Sequence, residues 1–244
     1  MRFQGNYILV TGASSGIGRQ IAIDLSKDGA NLILLGRDFD KLQETKSLCT
    51  TVAQVLLIAK DLIDEDAADF ILNAIDVNLN GIVLNAGKTL LKPLSFINRQ
   101  QIDELFAINV RSNMLIMQAL LRKKRIEKGA SIVVISSIAT VKPSVGISIY
   151  NASKSALNGF AHSLALEVAA KKIRVNTILP GIVETNLLGR KRTEEELNSL
   201  LSEYPLGRFG TPADISSLTC FLLSDQASWI TGAQIPIDGG FSMK

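Results

Sequence analysis

The feature that most constrains this chain is a rhythm of short, unbroken apolar runs with amphipathic stretches between them. The runs are Tyr7–Thr11, Asn31–Gly36, Gln54–Ile58, Gly81–Asn85, Ser131–Ser136, Arg174–Leu179 and Gln234–Ile237. Segments such as Ile132-Val133-Val134-Ile135 do not alternate with polar residues, so both faces of such a strand must be covered, as in a parallel sheet between two helical layers. Between the first two runs, Ile17, Ile21, Ala22 and Leu25 share one helical face, and Gly29 stands where that helix must stop. The expectation is an α/β, doubly wound parallel sheet of about seven strands with helices on both faces. No repeat, low-complexity tract or linker divides the chain, so residues 1–244 read as a single domain.

Composition removes several classes of function. With 26 Lys and Arg against 23 Asp and Glu, the net charge is only +3, which argues against a dedicated nucleic-acid binder. Two cysteines, Cys49 and Cys220, and a lone histidine, His162, provide no metal-ligand spacing and no disulfide framework. The first apolar run ends at Thr11-Gly12, too short for a signal-peptide core, and no uncharged stretch is long enough to span a bilayer despite a mean hydropathy of +0.25. The apolar content therefore belongs to a core, and the expected location is cytoplasmic. Small molecules or proteins are the expected partners, without nucleic acid or membrane.

The most charged and least strand-like segment, Gly181–Tyr204, holds Arg190-Lys191-Arg192 and Glu194-Glu195-Glu196. It reads as a partly helical lid over residues 181–204, at the carboxyl edge of the sheet where open α/β folds bind ligands. Thr211-Pro212-Ala213-Asp214 begins another helix, with Thr as N-cap, Pro in the first turn and Asp at the positive helix end.

The stretch from Thr11 and Gly12 through Ala13, Ser14, Ser15, Gly16, Ile17 and Gly18 follows the first strand and opens the first helix. Backbone amides and the helix dipole converge there on a place for a pyrophosphate, the Rossmann arrangement, although the spacing is G-x-x-x-G-x-G. The second strand ends at Gly36, about 20 residues on, where an NAD enzyme places an acid against the ribose. Arg37 follows instead, a guanidinium suited to a 2′-phosphate, which favours NADP(H) over NAD(H); Asp38 is the rival for the acid position. Asp61-Leu62 and Asn85-Ala86-Gly87 end the third and fourth strand regions on the side expected to face the adenine and ribose.

Tyr150 and Lys154, in Tyr150-Asn151-Ala152-Ser153-Lys154, lie four apart and share a helical face, so the ammonium is expected to lower the phenol pKa. Tyr150 would then donate or accept a proton near working pH, and Ser137, at the end of the fifth strand, could bond the same carbonyl oxygen.

Taken together these residues resemble the short-chain dehydrogenase/reductase family in its compact form, over essentially the whole chain. The resemblance rests on Thr11-Gly12 through Gly18, on Asn85-Ala86-Gly87, on Ser137, Tyr150 and Lys154, and on Pro180-Gly181. It implies a catalytic role for Asn109 in Phe106-Ala107-Ile108-Asn109-Val110, breaking a helix locally and holding a water that passes protons to Lys154. It also implies cofactor contacts along Pro180, Gly181, Ile182 and Val183, with Thr185 at the nicotinamide carboxamide. Lys154 would anchor the nicotinamide ribose. Pro205 through Pro212, Ile230-Thr231-Gly232 and Asp238-Gly239-Gly240 resemble bacterial 3-oxoacyl-acyl carrier protein reductases, which implies a homotetramer and an acyl carrier protein as a partner.

Other features carry less. His162 lies eight residues beyond Lys154, some 12 Å along a helix, and an oligomer contact explains it. Arg122-Lys123-Lys124-Arg125 and Lys171-Lys172-Arg174 read as solvated helix ends, with docking of an acidic carrier protein as the sharper alternative. Phe209, Phe221 and Trp229 read as core or interface, and the two cysteines as small buried residues. The expected function is NADP(H)-dependent hydride transfer between nicotinamide and a carbonyl or secondary alcohol. The alternative is a dinucleotide-binding redox sensor, disfavoured because Asn109, Ser137, Tyr150 and Lys154 are all present. Apolar Ile182, Val183, Leu187 and Leu188 suggest a partly greasy pocket, leaving acyl thioesters, sugars or polyols, and polycyclic alcohols open as substrates.

Overall fold

The computed structural model describes residues 1–50, 54–184 and 193–244. Seven strands form one sheet: β1 Tyr7–Thr11, β2 Asn31–Gly36, β3 Val55–Ala59, β4 Leu79–Leu84, β5 Ile126–Ile135, β6 Arg174–Pro180 and β7 Gln234–Ile237. Their order is β3-β2-β1-β4-β5-β6-β7, and every pairing is parallel. The order reverses at β1, leaving a crevice beyond the carboxyl ends of β1 and β4, where such sheets bind ligands.

Alternate residues of one strand enter two cores. Leu9 joins α3 (Ala67–Ala74), α5 (Ser112–Arg122) and α6 (Ser148–Val168) on one face through Ile71, Ile116 and Leu157. Ile8 and Val10 join α1 (Gly16–Lys27), α2 (Phe39–Leu48) and α8 (Pro212–Leu223) on the other through Ile21, Leu42 and Ile215. This double cover is what the unbroken apolar runs require. The first helix ends as expected, with Asp28 as C-cap and Gly29 beyond it at φ +90°.

Strand bounds differ where polar residues mask them. β5 starts at Ile126, five residues before the expected Ser131, because Glu127, Lys128 and Gly129 interrupt the apolar run while Ile126 still pairs with Leu79. β4 runs from Leu79 to Leu84 and stops short of Asn85; β3 is displaced by one residue, and β6 extends to Pro180.

Between α4 (Arg99–Phe106) and α5, residues Ala107–Arg111 form a π-helical turn containing Asn109. In the expected lid, α7 spans Glu194–Leu201 with Thr193 and Glu196 closing a capping box. The remainder of that segment, 185–192, with Thr185, Leu187, Leu188 and Arg190-Lys191-Arg192, lies outside the described residues. A second capping box joins Thr211 and Asp214 at the start of α8, and Pro212 occupies the first turn as expected.

Arg174 does not belong to a basic surface cluster. It is buried, and its guanidinium donates to the carbonyls of Leu222 at 2.7 Å and Ser224 at 2.9 Å, because β6 lies inside the sheet. Phe209 is buried, whereas Trp229 is almost wholly exposed. Among the described residues, no helix is long and apolar enough to cross a membrane.

Candidate active site

The glycine-rich turn is fastened to the end of β4 through Thr11. Its hydroxyl accepts from the amides of Asn85 and Ala86, each at 2.9 Å, and donates to Val83 O at 3.3 Å. The Asn85 side chain points back into the turn, donating to the carbonyls of Thr11 at 3.0 Å and Gly12 at 3.2 Å. The Asn85 side chain thus joins two strand ends. A Cβ at Gly12 would meet the Asn85 amide nitrogen at 2.8 Å, and one at Gly18 would run into the Gly12 carbonyl. Gly18 thus lets α1 approach the turn itself. Ser14 follows in the turn, and Ser15 is the exposed N-cap of α1, with Gly16 and Ile17 as the first helical residues. The Ser15 side chain makes no capping bond, so its hydroxyl and the first-turn amides are suited to an anion.

Arg19 completes this turn and has no counterpart in the sequence reading. Its guanidinium donates to Ser14 O at 2.7 Å and Thr45 Oγ1 at 3.0 Å and pairs with Glu44 at 2.9 Å, binding the turn to α2. A basic residue directly after the last glycine was the available signal.

At the next strand end, Arg37 is three-quarters exposed and lies 3.7 Å from the Asp61 carboxylate. Asp38 is occupied elsewhere: its carboxylate caps α2 by accepting from Lys41 N at 3.1 Å and pairs with Lys41 Nζ at 3.2 Å. Asp61 Oδ1 accepts from Ile63 N at 3.2 Å. The Leu62 side chain is buried in the core, so a cofactor would meet only its backbone.

Beyond Ala86, which packs against the core, a buried polar cluster forms around Asn109. Its Oδ1 accepts from Lys88 N at 2.8 Å; its Nδ2 donates to Lys88 O and to Ser153 Oγ, both at 3.0 Å. Ser153 precedes Lys154 on α6, and Lys154 Nζ donates to Ile135 O at 2.9 Å. Gly87 separates the two groups: a Cβ there would lie 3.0 Å from Asn109 Oδ1 and 3.3 Å from Lys154 Nζ. Asn109 and Lys154 therefore face a common space.

Tyr150 lies one turn before Lys154, and its phenol lies near enough to Ser137 and Thr89 for their side chains to act on its protonation. Ser137 follows β5 and starts a short 3₁₀ turn; its Oγ accepts from Ala139 N at 3.2 Å, which leaves its proton available for donation. Thr89 is a partner that the sequence reading missed, standing two residues after Gly87 without any motif of its own. The expected lowering of the Tyr150 pKa is corrected. Burial pushes the phenol above its ordinary value, and Ser137 and Thr89 only partly offset this. Burial also brings Lys154 down to about 8, so each group is shifted towards its neutral form.

A family profile described as Enoyl-(Acyl carrier protein) reductase matches residues 12–242. An L-xylulose reductase of Caenorhabditis elegans is 38% identical over 98% of this chain and 97% of its own. A 3-oxoacyl-[acyl-carrier-protein] reductase of Rickettsia conorii is 34% identical over 98% of both chains. The solved short-chain dehydrogenase/reductase of Serratia marcescens superposes with a TM-score of 0.92 at 31% identity, covering 99% of this chain and 100% of that one. The chain belongs to the short-chain dehydrogenase/reductase family. It is an oxidoreductase acting on carbonyl or CH–OH groups, and the family implies a nicotinamide dinucleotide as cofactor.

The far rim of this short-chain dehydrogenase/reductase's cleft follows β6. Gly181 N donates to Ile237 O at 2.9 Å, and Ile182 N donates to Tyr204 Oη at 3.1 Å. Val183 is buried and bridges to Gly210. Tyr204 stacks on Phe241 with centroids 5.0 Å apart and meets Phe209 edge-on at 5.2 Å. Thr185 lies outside the described residues. His162 is exposed on α6.

Replacing Thr11 with Val keeps the shape but leaves the Asn85 and Ala86 amides without their acceptor, so unfolding free energy should fall by about 2 kcal/mol. Urea denaturation should find this loss, and Thr11→Ser, which keeps the oxygen, should recover most of it.

Proposed function

We propose that this chain is an NADP(H)-dependent carbonyl reductase in which Ser137, Tyr150, Lys154 and Asn109 carry the chemistry. The observation that carries the reading is the placement of Tyr150 beside Ser137, with the buried Lys154 one turn further along α6 donating to Ile135 O, at the carboxyl end of β5.

The residues that would hold the dinucleotide are the α1 amino end with Gly12, Ser14, Ser15, Gly16, Ile17 and Gly18, then Arg37, Asp61, the Leu62 backbone, Ala86, Gly87 and Pro180 through Val183. The small space left by the glycines and the uncapped helix start support this. When bound, the nicotinamide supplies or takes the hydride. Ser137 and Tyr150 would hold the substrate oxygen, and Tyr150, kept protonated by its burial, would donate the proton. Lys154 would hold the nicotinamide ribose, and its ammonium would pass a proton through the space it shares with Asn109. The sensor reading is disfavoured because the whole polar set is linked.

Preference for NADP(H) is supported by the exposed Arg37 and by the commitment of Asp38 to capping α2. An acidic carrier protein as substrate carrier is supported by a cleft of about 450 Å³ lined by Lys124, Lys128 and Lys171 over Leu121, Ile126 and Ile173. Among the described residues these three lysines have no ion-pair partner, whereas Arg122 pairs with Asp69 and Arg125 donates to Asp76 O. The cleft adjoins the amino ends of β5 and β6, at the opposite edge from Tyr150, so the carrier reading requires the homotetramer to bring another subunit's site within reach.

The decisive experiment follows NADPH and NADH oxidation against a panel of 3-oxoacyl thioesters, keto sugars and simple diketones; silence on every carbonyl would overturn the reading. Tyr150→Phe should cut turnover about 10³-fold while NADPH affinity, read by fluorescence titration, is retained. Arg37→Leu should raise the KM for NADPH about tenfold or more and leave that for NADH nearly unchanged. Exchanging Lys128 and Lys171 together for Gln should raise KM about tenfold for a carrier-bound 3-oxoacyl substrate and not for a short free thioester.

A further inference from the structure

Lys142 stands where three separate parts of the chain meet. It ends the short wound segment that begins at Ser137, its own amide donating to Ile138 O at 2.9 Å while Thr140 Oγ1 donates to Ser137 O at 2.9 Å. The wound segment is braced from α6, where Asn158 Nδ2 donates to Thr140 Oγ1 at 3.1 Å. The backbone of Lys142 is therefore rigidly coupled to Ser137.

Its side chain reaches in the other direction. Nζ donates to Phe241 O at 3.0 Å, sits 4.0 Å from the centroid of the Phe241 ring, and lies 3.7 Å from the Glu203 carboxylate. A cation held over a ring and against a carbonyl of the same residue grips both its backbone and its side chain. Phe241 then stacks on Tyr204, whose phenol oxygen accepts from Ile182 N. The C-terminal residue adds a second tie, since Lys244 Nζ donates to Ser202 O at 2.9 Å, just beyond α7. One ammonium thus links the Ser137 segment, the C-terminal segment and the loop after β6, which are the two sides of the cleft and the piece between them.

We propose that Lys142 is a positioning residue that clasps the segment Phe241–Lys244 to the rim of the substrate cleft, fixing the gap between Ser137 and the loop at Ile182 and thereby the affinity for the carbonyl substrate. The inference rests on the carbonyl-reduction reading for its kinetic consequence and on geometry alone for the clasp. Lys142 is not itself placed against the dinucleotide, but Ile182 belongs to the proposed cofactor wall, so its loss should weaken the carbonyl substrate more than the cofactor. A charge is required, not a length: Met retains the stem over the ring, whereas Arg retains the cation.

The test uses Lys142→Met, Lys142→Arg and a chain truncated after Gly240, with thermal unfolding confirming that each is folded. In hydrogen–deuterium exchange, Lys142→Met should speed the Ile182 amide and those of Phe241 through Met243 by about fivefold or more, leave the α8 amides unchanged, and be rescued by Lys142→Arg. With NADPH and the most active carbonyl of the panel, Lys142→Met and the truncation should each raise the carbonyl KM by about fivefold, with kcat held within about twofold and NADPH affinity falling by less than the carbonyl KM rises. Adding Lys142→Met to the truncated chain should change little more, because both remove one interaction. Unchanged exchange at Ile182, an unchanged KM, or an equal loss of NADPH affinity would each overturn the proposal. If no carbonyl in the panel is turned over, the reductase reading falls while the exchange result still decides whether the clasp exists.

Discussion

The hydroxyl of Thr11 accepts two amides from the end of β4 and donates to a third group on the same strand, so the carboxyl ends of β1 and β4 are held together where the strand order reverses. It extends the β1–β4 ladder, which ends at Val10 and Val83, out to the edge of the crevice. The glycine turn inherits its shape from it, since Asn85 can reach the Gly12 carbonyl only while β4 stays in place. The start of α1 is then set by the close approach of Gly18 to the turn, and Arg19 carries the same constraint outward to α2. A chain of short polar contacts thus converts the register of two strands into the position of a helix amino end.

The opposite wall is organised by buried polar groups, whose hydrogen bonds make it rigid. Asn109 uses both ends of its amide, and Ser153 passes its hydroxyl to Tyr150 O at 2.7 Å, so the π turn, the loop after β4 and α6 move as one unit. A π turn shifts the hydrogen-bond register of a helix and releases a carbonyl; here the Asn113 side chain donates to Asn109 O at 2.9 Å. Local helical regularity is given up so that one amide can serve both the loop and α6.

The fold was legible because its evidence is repeated. Each unbroken apolar run reports a covered strand, and errors in single bounds, such as the late start assigned to β5, leave topology untouched. Candidate site residues were legible where a residue type has few uses, as with the glycines in the first turn and Tyr150 with Lys154 at helical spacing, whereas Asn109 came only from the family resemblance. The site was not legible where the contact is distant in sequence and chemically ordinary. Nothing near Thr89 marks it as a partner of Tyr150, and Lys142 meets Phe241 across 99 positions. The pKa of Tyr150 failed for a related reason. Helical spacing places a cation on the same face, but does not show that Lys154 donates to Ile135 O or that burial dominates the phenol.

That correction changes the chemistry expected of the site. A phenol lowered by its lysine would serve acid and base roles about equally near neutral pH. A phenol raised by burial remains protonated well beyond it, while Lys154, near 8, is still mostly charged at pH 7. Both groups therefore hold protons under ordinary conditions, which is the state a carbonyl oxygen needs when hydride arrives. On the reductase reading, proton delivery falls to Tyr150 without a histidine, since the lone His162 is out at the surface of α6.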